Sequence, residues 1–220
     1  LDRARAVLDR ISGPFHAETE LSAIRDAVET ETGSIRELFR KGLRRALLIG
    51  VVVSILAQSV GINAIMYYSP TIFLNAGFQD NSSAFLAAVV VGVVNFLFTI
   101  AAVFWIDRFG RRPLLLAGIA GMFLSLAGAS VIFRIAGDSG WVLAPILSFV
   151  ALYAVSLGPI AWVLVSEIFP NRLRGIAMAI CMSALYISDF IVSFTFPRLL
   201  ETFGPSVFLM YAGICAAGFA

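Results

Sequence analysis

Four polar side chains stand inside long apolar runs of this chain: Gln58, Asn63, Asn95 and Asp189. In hydrocarbon, each must find either a protein partner or a watery cavity. An interhelical hydrogen bond would satisfy any one of them, but four on three runs point to a shared cavity. Amide side chains donate and accept hydrogen bonds at once, which suits a neutral ligand rich in hydroxyls. No cluster of cations awaits an anion. Tyr153 and Trp162 fit lipid or core packing, and beside a broken helix they also fit stacking against the C–H face of a sugar ring. Asp189 is the only carboxylate well inside a run, placed either to exchange a proton or to bond to a neighbouring helix. Catalysis finds no machinery. There is no nucleophile–base pair, no paired intramembrane carboxylates and no metal cluster, and the single histidine, His16, lies outside the apolar runs.

The elements that must hold these groups are membrane spans. A composition of 60% hydrophobic and 14% charged residues, with a mean hydropathy of +0.92, is too apolar for a soluble domain of 220 residues. Six apolar segments follow in order: Ala46 to Leu74, Ala84 to Ile106, Leu114 to Phe133, Trp141 to Val165, Ile176 to Phe196, and Pro205 to Ala220. A helix needs about 20 apolar residues to cross a hydrocarbon core of about 30 Å, a length the first five reach. The expected fold is an all-α membrane protein with six transmembrane helices over residues 46–220, the last incomplete. Cys181 and Cys215 sit in apolar runs, where they pack as small hydrophobes. The chain opens at Leu1 without a secretory leader and stops inside an apolar run, so it reads as a piece of a longer protein.

Residues 1–45 are expected to form a helical linker. Helical spacing at Val7, Leu8 and Ile11 meets a stop at Ser12-Gly13-Pro14, and further apolar positions follow at Leu21, Ile24 and Val28. Nine of the 16 basic residues lie before Ala46 beside eight acidic ones, a balance that describes a solvated helical surface and not a nucleic-acid patch. Basic residues in short loops mark the cytoplasmic side. Arg108, Arg111 and Arg112 lie between the second and third segments, Arg172 and Arg174 between the fourth and fifth, on the same side as Arg36 to Arg45. The linker and loops 107–112 and 166–175 are therefore expected to be cytoplasmic, in a multi-pass protein of the plasma membrane (the inner membrane of a bacterium).

Two of the spans are interrupted. Gly61 falls in the first and Gly158-Pro159 in the fourth, so each triplet of spans begins with a broken one. Breaks at matching places in repeated halves point to a transporter's binding site, because they free backbone groups and let elements move. On a continuous helix Gln58 and Asn63 would lie roughly 140° apart. They address one cavity only if Gly61 bends or unwinds the helix, or if the cavity wraps around it.

Three motifs then occur together in order: Gln58-Ser-Val-Gly61-Ile-Asn63-Ala-Ile-Met-Tyr67-Tyr68, Asp107-Arg108-Phe-Gly110-Arg111-Arg112, and Gly158-Pro159-Ile-Ala-Trp162 through Glu167-Ile-Phe-Pro-Asn-Arg-Leu-Arg174-Gly175. With them the chain resembles the carboxy-terminal half of a sugar porter of the major facilitator superfamily. The resemblance implies a twelve-helix transporter whose amino-terminal six-helix half is the partner of this one. It also implies a sugar or polyol substrate, no cofactor and no metal. Gln58, Asn63 and Asn95 would bond substrate hydroxyls, with Tyr153, Gly158 and Trp162 lining the same site. Gly61, Tyr67 and Tyr68 would serve the extracellular gate, and Asp107, Arg108, Arg111, Glu167 and Arg174 the salt-bridge network of the cytoplasmic gate.

The chain also departs from the family's pattern. Ala57-Gln58 replaces a usual pair of glutamines, Leu185 and Tyr186 stand where many members carry an amide and a tryptophan, and a nearby amide position has become Asp189. The function implied is secondary active or facilitative transport by alternating access, with proton coupling through Asp189 as one form of it. A sugar-sensing receptor on the same scaffold is the alternative.

Overall fold

The computed structural model describes residues 35–40, 42–78, 80–135 and 140–219. The expected linker therefore lies largely outside the described residues. Backbone polar groups in hydrocarbon must be satisfied within the segment, which leaves helix as the form of every span here. After a short α1 (Ile35–Leu38) the first span is split into α2 (Leu43–Ser59) and α3 (Ile62–Asn75). The second and third spans are single helices, α4 (Asn81–Phe109) and α5 (Arg111–Ile135). A 3-10 turn at Gly140–Val142 leads into the fourth span, again split, as α6 (Leu143–Val155) and α7 (Leu157–Ile168). The fifth span is α8 (Asn171–Phe203), and α9 (Ser206–Phe219) follows. Five spans have the length and hydropathy to cross a bilayer, whereas α9, with 14 residues, is shorter.

The two broken spans are the most enclosed. In the most apolar stretch of each span, 56% is buried for Leu143–Ile168 and 44% for Leu43–Asn75, against 17% for Asn81–Phe109. Helix α4 accordingly turns Phe85, Leu86, Val93, Phe96 and Phe104 outward, the surface lipid would cover. Helix α8 runs along α2 and touches α3, α6 packs between α4 and α5, and α9 lies on α5. Gly118 of α5 makes one such approach possible, because a Cβ there would overlap the Ser156 side chain at the second break. The main core gathers Ile65, Phe73, Met122, Leu126, Phe149, Phe196 and Phe208. A second, smaller cluster at one end seats Leu38 of α1 among Val165, Phe169, Leu173 and Cys181.

Candidate functional site

The site begins with the backbone at Gly61. Helix α2 closes with the Val60 N–H on the Leu56 carbonyl at 3.2 Å and the Gly61 N–H on the Gln58 carbonyl at 2.9 Å. Gly61 itself is left-handed, φ 89° and ψ 18°, a conformation that favours glycine for want of a Cβ. The chain re-enters helix at once, with the Ile65 N–H on the Gly61 carbonyl at 3.0 Å. This one-residue reset removes the 140° separation of a continuous helix. Asn63 Nδ2 donates to Gln58 Oε1 at 3.1 Å and to Asp189 Oδ1 at 3.0 Å.

Helix α8 supplies the far side of the cluster. Ser193, one turn beyond Asp189, donates to the same Oδ1 at 3.3 Å. Ser188 and Ser59 share a hydrogen bond of 3.0 Å, and Ser188 Oγ also lies 3.3 Å from the Ile55 carbonyl. Gln58, Asn63 and Asp189 are each half-buried, so the cluster is held by the bundle and still open on one side. Among the described residues there are also clefts away from this cluster, on apolar surface, one of them lined by Trp105, Phe109, Pro113 and Leu114. Grooves with so little polar lining suit acyl chains better than a hydroxyl-rich ligand.

The second break falls two residues earlier than Gly158-Pro159. Ser156 is the non-helical residue, φ −115° and ψ −91°, and Pro159 sits in the first turn of α7. A first-turn proline loses no intrahelical bond, yet its ring and missing N–H prevent α6 from continuing unbroken into α7, so the interruption is displaced upstream. Ser156 Oγ caps the end of α6 by donating to the Leu152 carbonyl at 2.6 Å. Gly158 packs against the Tyr153 ring, where a Cβ would meet Cε1 at 3.0 Å. Trp162 is 44% exposed, and no hydrogen bond or ring contact joins it to the cluster among the described residues. Asn95 is half-buried on α4; its side chain makes no hydrogen bond among the described residues, and its backbone carbonyl accepts from Thr99 Oγ1 at 2.7 Å. The structure therefore brings together Gln58, Asn63 and Asp189, packs Tyr153 against Gly158 at the second break, and joins neither Asn95 nor Trp162 to the cluster by a hydrogen bond or ring contact among the described residues.

The tyrosines expected at a gate divide. Tyr67 is 63% exposed, whereas Tyr68 stacks on Phe196 at 5.6 Å between centroids, and Phe196 in turn contacts Tyr211 at 6.0 Å. At the charged end, Arg111 at the start of α5 forms an ion pair with Glu167 in the last turn of α7. Asp107 and Arg174 are exposed without an ion pair among the described residues, and Arg108 lies over the Phe109 ring at 5.9 Å. Of the five residues expected in a network, two are joined in this structure. A further pair, Arg172 with Glu37, ties the start of α8 to α1. Sequence reasoning missed that contact, and it missed Ser59, Ser188 and Ser193. Only Ser193 carried a readable signal, its four-residue spacing from Asp189 on a helix.

A bundle of long apolar helices with two broken spans, a half-buried amide–carboxylate cluster at one break and ion pairs at one end defines a multi-pass membrane protein of the transporter class. A family model described as "Sugar (and other) transporter" matches residues 1–220. The chain belongs to this family, the sugar porters of the major facilitator superfamily, which are transporters and not enzymes. It is 39% identical over 206 residues to an arabinose-proton symporter of Bacillus subtilis, covering 92% of this chain and 44% of that one. It is 36% identical over 200 residues to a D-xylose-proton symporter of Escherichia coli, covering 90% and 40% respectively. Among solved structures, the inward open conformation of the xylose transporter XylE from E. coli matches with a TM-score of 0.74 and 31% identity, over 100% of this chain and 45% of that one. The chain thus spans about half the length of these relatives.

Proposed function

We propose that this chain is the carboxy-terminal half of a transporter that moves a sugar or polyol across the plasma membrane by alternating access. The observation that carries the reading is the cluster of Gln58, Asn63 and Asp189 assembled at the Gly61 break. Such groups bind neutral hydroxyls by donating and accepting at fixed points. In this reading Gln58 and Asn63 hold the substrate, and Tyr153, Gly158 and Trp162 form a wall that shifts as α7 tilts about Ser156. Asn95 reaches the substrate from α4. Exposed Trp162 and Tyr67 face the amino-terminal six-helix half, which closes the site from the other side. Gly61, Tyr67 and Tyr68 act in the extracellular gate. Asp189 is the carboxylate placed to exchange a proton with the cavity, which fits symport of the kind its relatives' names describe.

Uptake by the full-length protein in liposomes, across a panel of hexoses, pentoses and inositols, tests the reading. Saturable uptake of at least one member is expected. Binding without flux would replace it with a sensing function.

The charged end has a separate task in this proposal. Arg111 with Glu167 closes the cytoplasmic side, and Asp107, Arg108 and Arg174 join them in the outward-facing state. An exposed pair is worth only about 0–1 kcal/mol, but a bond broken on opening biases a two-state equilibrium by its full differential. Glu167→Ala or Arg111→Ala is therefore expected to slow net transport severalfold while leaving the equilibrium affinity for substrate within about threefold. Equal losses of binding and transport would remove the pair from the gate.

A further inference from the structure

We infer that Asp189 sets the hydrogen-bonding polarity which the site presents to its substrate, by holding the Asn63 amide with its NH2 group turned toward α8. The inference rests on the transport reading above and names the kind of hydroxyl-bearing ligand the same cluster accepts.

An ionised carboxylate only accepts hydrogen bonds, and an amide has one accepting and one donating end. With Asn63 3.0 Å from Asp189 Oδ1, contact through the amide oxygen would set two acceptors against each other whenever Asp189 is ionised, so in that state the nitrogen must face the carboxylate. The same nitrogen lies 3.1 Å from Gln58 Oε1. Its two hydrogens are therefore both spent inside the cluster. Gln58 is fixed in turn, because its oxygen is the end that receives the second hydrogen. Ser193 adds a further donor to Asp189 Oδ1 at 3.3 Å and so supports the carboxylate in the acceptor role. What remains for a ligand is directional. Asn63 Oδ1 only accepts, and Gln58 Nε2 only donates.

The chemistry of the substrate follows. One hydroxyl must donate to Asn63 Oδ1, and a second, or the ring oxygen, must accept from Gln58 Nε2. A sugar or polyol with free neighbouring hydroxyls meets both demands. A ligand that offers an ether, a fluorine or a carboxylate where Asn63 expects a donor does not. The negative charge of Asp189 further disfavours acidic sugars and sugar phosphates, because no arginine or lysine pairs with it among the described residues. An amide at position 189 would lose this direction, because either of its ends could face Asn63 and the whole chain of bonds could reverse. Asp189 is in this sense a positioning residue for Asn63 and Gln58.

The test uses the full-length transporter and the sugar it takes up, with singly deoxygenated and singly fluorinated analogues at each ring position as competitors. Fluorine accepts weakly and never donates. In the wild type, one position is expected where deoxy and fluoro analogues both lose about tenfold or more in affinity, and another where only the deoxy analogue does so. In Asp189→Asn the fluoro-to-deoxy ratios at these two positions are expected to converge to within about threefold. An unchanged pattern in Asp189→Asn overturns the inference.

A second measurement is independent of sugar. In detergent, Asn63→Leu and Asp189→Leu are each expected to lower the melting temperature, and the double variant to lower it by less than the sum, because each single change strands its partner. Additive shifts would show that the two side chains are not coupled and overturn the inference on their own. A wild type that binds no sugar of the panel, with the two changes still coupled, overturns the transport reading while the Asn63–Asp189 pairing stands.

Discussion

Asn63→Leu is expected to abolish saturable sugar uptake by the full-length protein, with substrate affinity reduced on the order of 100-fold or more. The size follows from what one side chain does at the Gly61 break. Asn63 donates to Gln58 Oε1 and Asp189 Oδ1, and its amide oxygen, bonded to no side chain among the described residues, is left for a ligand in the proposed site. A hydrogen bond to a charged group contributes about 1.5–3 kcal/mol, and leaving a half-buried acceptor unpaired costs about as much again. Leucine fills a similar volume and replaces none of these bonds, so Asp189 keeps only Ser193 and Gln58 is free to reorient. Equilibrium binding measured by a fluorescence or calorimetric titration of the purified protein checks this. An affinity within threefold of wild type would place the substrate elsewhere in the bundle.

The second large effect is expected at Gly61 itself. Its φ of 89° is a region that β-branched residues avoid, at a cost of about 1–2 kcal/mol. Space is also lacking, because a Cβ there would lie 3.0 Å from Tyr211 Cδ1. The Tyr211 ring has little room to yield, packed as it is against Phe196, which is stacked on Tyr68. Gly61→Val is expected to destabilise the protein by about 2–4 kcal/mol and to lower the transport rate by at least tenfold. The strain is relieved only by straightening the break that brings Asn63 to Gln58. Thermal unfolding in detergent and initial rates in liposomes check the two halves. A melting temperature and a rate both equal to wild type would mean that the left-handed turn is dispensable. Gly61→Ala keeps the backbone strain with a smaller side chain, so it should fall between the two.

The contrast between the two breaks is instructive. At Gly61 the sequence and the structure agree on the residue, because a lone glycine between polar positions has a local reason to leave the helix. In the fourth span the proline is visible in the sequence, but the bend belongs to Ser156. A proline disturbs the turn before it, and which residue absorbs the change depends on what packs there. Gly118 leaves room for Ser156, and Gly158 leaves room for the Tyr153 ring. The charged end shows a similar division. That Arg111, Arg172 and Glu167 lie near helix ends is a property of the apolar runs around them. That Arg111 meets Glu167 while Arg172 meets Glu37 follows from how α5, α7, α8 and α1 converge.

The order of amino acids by itself determined the membrane class, the approximate positions of the spans, the interruption at Gly61, the presence of a break in the fourth span, and the family. Each is a local quantity: apolar length against bilayer thickness, backbone freedom at glycine, the missing N–H of proline, and motif spacing along the chain. Only the tertiary structure decided which polar groups meet. Asn63 and Asp189 are separated by 126 positions and come within 3.0 Å because α8 lies along the broken first span. Asn95, equally conspicuous in the sequence, carries no side-chain hydrogen bond among the described residues. Hydrophobicity can place a residue in a helix, but the partner of a polar side chain depends on the rotation and register of two packed helices, and those are settled by the whole core at once.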